Sequence, residues 1–281
     1  MNFHRKPATF VRELSINVMN LHQSVTFYQE IVGFQVLKQT KQQAILTADG
    51  ITPLLILEQP ADVIPKEART TGLYHFALLL PTRADLANFL YHILQKGYRL
   101  GASDHGVSEA IYIDDPDGNG IEIYRDRPAS EWEWSNQEVK MVTDPLDGDG
   151  LLAEKELDWN GLPTDTMMGH IHLHVADLQK TKEFYVKGLG FEVVTTYPGA
   201  LFISTAKYHH HLGLNIWNGT GAPVPKENSV GLNWFTIVLE NERKKEQVIQ
   251  QLRQIGAKVT KDTRDVYKTY DPSGNEIHLV I

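Results

Sequence analysis

Twelve histidines and no cysteine set the chemistry open to this chain of 281 residues. Without thiols there are no disulfides, no thiolate metal sites and no cysteine nucleophile, so any metal must be held by imidazole and carboxylate. Half of the histidines crowd into one stretch: His170, His172, His174, His209, His210 and His211. Strand alternation puts the first three on one face. His75 sits in the apolar run GLYHFALLL, where a lone histidine usually reads as structural. Glu122 lies between Ile121 and Ile123, and a carboxylate buried there without compensation is costly, which makes a cation its natural partner.

The elements that must position these groups come from an internal repeat. Glu13 to Leu21 (ELSINVMNL) matches His170 to Leu178 (HIHLHVADL), an offset of 157 residues. Each is followed by an amphipathic segment carrying Phe-Tyr, at Phe27-Tyr28 and Phe184-Tyr185, and each segment ends in Gly-Phe. These aromatic pairs read as core. Each half then holds a second unit. In the first half it starts at Gly72 and continues into a helix with Leu86, Phe89, Leu90, Ile93 and Leu94 at helical spacing. Thr82 with Asp85 reads as the N-cap and Gly97 as the stop. The unit closes with a strand over 111–115, the turn DPDGNG and a strand over 121–124. The second half mirrors this with a strand at 232–239, a helix from about 242 to 255 stopped by Gly256, the turn DPSGN and a last strand at 276–281. Asp115 and Asp117 are turn formers, and the turn glycines form no phosphate-cradling loop.

The prediction is therefore an α+β protein of four βαβββ units, about 9–58, 72–126, 168–217 and 231–281, forming two curved-sheet barrels. The halves span 1–126 and 168–281. Residues 127–167, rich in Asp and Glu, form a connector that reads as solvated and acidic, with a helix expected near Leu151 to Trp159.

Composition narrows the function. The net charge is −8, and no basic stripe is present, which argues against nucleic-acid binding. No run of 18 apolar residues exists, so no membrane-spanning helix is expected. The start MNFHRKPATF has no apolar leader region, and a cytoplasmic location is expected. The sequence leaves self-association into a homo-oligomer open.

With the first strands GHIHLHV and GLYHFALLL and the closing strand DPDGNGIEIY, the chain resembles the vicinal oxygen chelate superfamily, which includes glyoxalase I and the extradiol ring-cleaving dioxygenases. The resemblance covers nearly everything but the connector. It implies metal ligands at the start of first strands and six residues after the proline of the DP(D/S)G turn. Those positions are Glu13, His75, His170 and Trp234 on first strands, and Glu122 and His278 after the turns. Tryptophan cannot ligate a metal, so the C-terminal half alone cannot supply the site. A set of two histidines and a carboxylate is present as His75, Glu122 and His170, provided that the second unit pairs with the third. The first would then pair with the fourth, leaving Glu13, Trp234 and His278 as a degenerate site.

Such a triad fits non-haem Fe(II), with Mn, Ni or Zn as alternatives, because it leaves open positions for a chelating substrate and dioxygen. The resemblance further implies that His210 is the acid–base histidine and that Tyr112 hydrogen-bonds the substrate oxygen. His209, His172 and His105 are candidate substrate contacts, although His172 and His174 also fit satisfied core histidines. His211 reads as solvent-facing or structural. The implied activity is cleavage of catechol-type rings next to the hydroxyls, with a small aromatic substrate and O2 as partners. Two rivals share the scaffold. Pairing of the first two units would bring Glu13, His75 and Glu122 together for glyoxalase-like Lewis-acid chemistry. A non-catalytic protein binding aromatic ligands would have little use for a proton-shuttling histidine.

Overall fold

The computed structural model describes residues 3–263 and 266–281. The first unit comprises β1 (Phe10–Asn17), α1 (Leu21–Phe27), β2 (Gln35–Gln39), β3 (Gln43–Thr47) and β4 (Pro53–Glu58). The second has β5 (Gly72–Leu79), α2 (Arg83–Gln95), β6 (Gly101–Asp104), β7 (Ser108–Asp114) and β8 (Gly120–Asp126). The connector carries the two-residue strands β9 (Trp134–Ser135) and β10 (Glu138–Val139) and the short helix α3 (Gly148–Leu152). The third unit follows with β11 (Met167–His174), α4 (Leu178–Lys182), β12 (Glu192–Tyr197), β13 (Ala200–Ser204) and β14 (Leu212–Asn215). The fourth has β15 (Gly231–Val238), α5 (Glu242–Gln254), β16 (Val259–Lys261), β17 (Tyr267–Tyr270) and β18 (Glu276–Val280).

Two eight-stranded sheets result among the described residues, and each takes one unit from each half. β5 runs antiparallel to β11 in one sheet, and β1 antiparallel to β15 in the other. The second unit thus pairs with the third and the first with the fourth. The pairing that would bring Glu13 to His75 does not occur. Within each unit the first and last strands are parallel neighbours.

Local chemistry explains the elements. α2 opens with a capping box in which the Thr82 side chain and the Asp85 backbone, and the Asp85 side chain and the Thr82 backbone, satisfy each other. Its stripe of Leu86, Phe89, Leu90 and Ile93 is buried, while Leu94 at the end of the stripe is half exposed. The Phe-Tyr segments are helical, but their second halves widen into π-turns over Tyr28–Val32 and Glu183–Gly188. The tyrosines reach across units. Tyr28 donates to Asp115 Oδ2 (2.9 Å) and Tyr185 to Asp271 Oδ2 (3.1 Å). Each aspartate also closes its own turn, with Asp115 Oδ1 accepting from the Asn119 backbone and Asp271 Oδ1 from the Asn275 backbone. This repeated tie fixes where β8 and β18 begin, and so where Glu122 and His278 point.

The connector differs from the solvated linker that its acidity suggests. Trp132, Val139, Leu151 and Leu162 are all buried, and the Trp132 indole N–H donates to the Val107 and Arg127 carbonyls. The apolar residues spaced among its acids pin it to the barrels. Its helix lies earlier than expected, capped by Asp147, whose side chain accepts from the Gly150 N–H (2.9 Å). No described helix is long and apolar enough to cross a membrane.

Candidate metal centre

Sheet register assembles the centre. Ala77 on β5 pairs with Glu122 on β8 and with His170 on β11, so these three residues form one row across three strands. His75 lies two positions along β5 and shares their face. The small Ala77 side chain leaves the space above the row to the longer groups beside it. The register slips by one between Met168 and His170, and this bulge brings His170 into the row. Gly169 makes the slip possible, since a Cβ there would fall on the Tyr124 hydroxyl.

His75 Nε2 and His170 Nε2 each lie 3.1 Å from the same oxygen, Glu122 Oε2. All three side chains are buried, and their ligand atoms lie within 4.8 Å of one another. Burial alone would raise the Glu122 carboxyl, but His170 and His75 outweigh it and hold the group well below the usual carboxylate range. Burial lowers His170, so its neutral, ligating form is favoured. His75 Nε2 has no hydrogen-bond partner despite lying inside the protein. Two imidazoles converging on one buried carboxylate oxygen fit a divalent cation, which would satisfy the orphaned nitrogen and balance the carboxylate charge.

A cavity of about 300 Å³ opens beside the triad and is lined by His75, Glu122, Tyr112, His105, His172 and His210. Its outer wall comes from Met141, Val142, Tyr197, Phe202, Trp217 and Tyr74. A larger crevice of about 830 Å³, between the loops near 66–73 and 224–233, contains none of the triad.

The structure places the remaining sequence candidates as follows. His105 Nδ1–H donates to the Val142 carbonyl (2.8 Å), and its Nε2 lies 2.6 Å from the Tyr112 hydroxyl. Burial, followed by the Glu122 charge, raises Tyr112 well above the usual phenol range, so it remains a hydroxyl. His172 lines the cavity and its Nε2 accepts from Asn215 Nδ2 (3.0 Å), while His174 donates to Asn215 Oδ1 (2.7 Å).

His209 does not line the cavity. It is fully buried behind His210, with Nε2–H donating to Asp126 Oδ1 (2.8 Å) and Nδ1 2.8 Å from His210 Nδ1. With Nε2–H of His209 donating to the Asp126 carboxylate, the single-proton form of His209 presents Nδ1 as an acceptor for His210 Nδ1–H. His210 Nε2 is then an unprotonated nitrogen. Burial and the neighbouring histidines hold His210 well below the ordinary imidazole range. Its ring lies 4.1 Å from that of His170. His211 is buried and structural, with Nε2–H donating to the Phe3 carbonyl (3.1 Å).

Sequence reasoning missed three contributors. Asp126 was legible in principle, because Glu122, Tyr124 and Asp126 alternate on one face of β8. Asn215 and the connector wall at 141–143 carry no local signal, since tertiary packing alone brings them to the site.

Residues 11–123 and 167–279 each match the family model described as the Glyoxalase/Bleomycin resistance protein/Dioxygenase superfamily. The catechol-2,3-dioxygenase of Bacillus subtilis (strain 168) is 44% identical over 279 residues, covering 97% of this chain and 98% of that protein. Biphenyl-2,3-diol 1,2-dioxygenase 3 of Rhodococcus globerulus is 30% identical over 110 residues, or 38% of this chain and 58% of that one. Among solved structures, glyoxalase I from Zea mays superposes with a TM-score of 0.59 at 17% identity, covering 97% of this chain and 92% of that one, which speaks to the fold alone. With both of its repeats matched, this chain belongs to the glyoxalase/bleomycin resistance protein/dioxygenase superfamily.

Proposed function

We propose that this protein is an extradiol dioxygenase that opens catechol-type rings next to their hydroxyls using O2, with Fe(II) held by His75, Glu122 and His170. The observation that carries the reading is the convergence of two imidazoles and one carboxylate on the wall of a cavity that also presents an unpaired histidine nitrogen and a tyrosine hydroxyl. The near full-length likeness to a catechol-2,3-dioxygenase supports it.

Fe(II) in such a triad supplies open positions for a chelating substrate and for O2. The chain's own groups do the rest. His210 Nε2 takes a proton from a substrate hydroxyl and returns it as the ring opens. His209 can accept the His210 Nδ1 proton in turn, moving positive charge away from the triad and toward Asp126. Tyr112, held by His105, orients a substrate oxygen by hydrogen bonding. Phe202 and the connector wall exclude water from the reacting ring.

The test is to load the purified protein with Fe(II) under argon and then add catechol and air. A yellow ring-opened product with one O2 consumed per ring is expected. Retention of iron with neither colour nor oxygen uptake would overturn the proposal.

A further inference from the structure

We infer that the site selects catechols whose remaining substituent is neutral and apolar, and that it rejects those bearing a carboxylate. This rests on the ring-cleavage reading and adds a substrate class to it. A cavity of about 300 Å³ lies at the low end of small-molecule pockets, roughly 300–1,000 Å³. It holds one ring and a short side group. The hydroxyl end of the substrate belongs at the triad, beside Tyr112 and His210, so the opposite end meets Met141, Val142, Phe202 and Trp217.

That wall offers an anion no counter-charge, since no lysine or arginine lines the cavity. Its polar groups are already engaged. The Tyr197 hydroxyl donates to the Met141 carbonyl (2.6 Å), the Ser103 hydroxyl to the Asp144 carbonyl (3.2 Å), and the Val142 carbonyl accepts from His105. Lys66, which lines the larger crevice, donates to the Gly118 carbonyl (2.7 Å). The hydroxyls of Tyr74 and Thr143 lie on half-exposed to exposed residues of the lining and have water within reach. A substrate carboxylate would lose its water and gain no cation, whereas a methyl or ethyl group would gain apolar contact.

The experiment compares kcat/KM of the Fe(II)-loaded protein for catechol, 4-methylcatechol, 4-ethylcatechol, 3,4-dihydroxybenzoate and 3,4-dihydroxyphenylacetate. The alkylcatechols should match or exceed catechol, and both carboxylates should fall about 100-fold below 4-methylcatechol, as expected for a buried unpaired charge. A preference of less than tenfold for 4-methylcatechol over either carboxylate overturns the inference while leaving the ring-cleavage reading intact. Failure to open any of the five, with iron retained, sinks the reading itself and the inference with it. Anaerobic titration followed by tryptophan fluorescence should show the same order in Kd. Met141→Arg, which places a guanidinium on the half-buried connector wall, should raise kcat/KM for 3,4-dihydroxybenzoate at least tenfold relative to 4-methylcatechol. No change in that ratio, with the folded variant still opening 4-methylcatechol, would count against the wall as the selective surface.

Discussion

The two eight-stranded sheets share one topology but treat the same positions differently. In the sheet built on β5 and β11, His75, Glu122 and His170 converge beside a cavity, and two of their nitrogens, His75 Nε2 and His170 Nδ1, have no hydrogen-bond partner. In the sheet built on β1 and β15, the matching residues are Trp234, His278 and Glu13. There the Trp234 ring lies flat on His278, with centroids 4.4 Å apart. His278 Nε2 is 2.7 Å from Glu276 Oε1, and Glu276 also accepts from Lys268 Nζ (2.9 Å) and Tyr270 (2.5 Å). Glu13 pairs with Arg12. One turn position separates the two outcomes. Where the second sheet has Glu276, the first has Gly120, whose Cβ would stand 2.5 Å from the Tyr74 carbonyl. The scaffold therefore does not need a metal. Ring stacking and a Lys268–Glu276–His278 cluster fill these positions in the second sheet, whereas the first turns three ligand-type groups toward one another beside a cavity.

The largest effect should separate the sheets outright. Glu122→Ala should lose both iron, measured by elemental analysis, and ring cleavage, whereas His278→Ala should keep both. Iron at full stoichiometry in Glu122→Ala would erase the contrast. Next, His210→Ala should retain iron but lower kcat by about 100- to 10,000-fold, the usual contribution of a positioned acid–base group. Asp126→Asn, which acts through His209, should lower kcat by roughly tenfold, with Asp126→Glu recovering part of the loss.

The third comparison concerns stability. Phe76 and Phe235 occupy the same place in the two sheets and both are fully buried. Each change to alanine should cost about 3–5 kcal/mol by urea unfolding of the metal-free protein. A large inequality would show that one sheet carries the fold.

The smallest effect is a difference in acid sensitivity. His4 donates to the Gly169 carbonyl beside the triad, and burial pushes it down to about 4. The unfolded chain, with an imidazole near the ordinary 6.5, takes up that proton first, so stability present above pH 6.5 is lost as pH falls toward about 4. Burial would raise Glu276, but His278, Lys268 and Tyr270 bring it to about 2, so its contribution persists above 4.5 and disappears between 4.5 and about 2. Removing His4 (His4→Gln) should flatten the upper part of the acid curve, and Glu276→Gln the lower part. Unchanged curves in both variants would break this assignment.

Much of this was readable before any coordinates. The offset between Glu13 and His170 gave the repeat, and the paired DPDGN and DPSGN turns located Glu122 and His278, because turn geometry and strand alternation are local rules. The choice of partner units was legible only through Trp234, which cannot ligate and so excluded a C-terminal site. The connector was misread because its charge dominates its composition, whereas four buried apolar side chains decide where it lies. His209 could not be told from His210 by adjacency alone. Asp126 settles their order, and it is brought there from another strand.

The ties from Tyr28 to Asp115 and from Tyr185 to Asp271 bind the units of each half together, while the sheets bind units of opposite halves. The four quarters thus form a closed ring of dependencies, each holding two others. A fragment ending before the connector would contain two unpaired central strands and an incomplete ligand set. Metal uptake at the triad would therefore report on pairing of the second and third units, since no piece ending before the connector contains position 170.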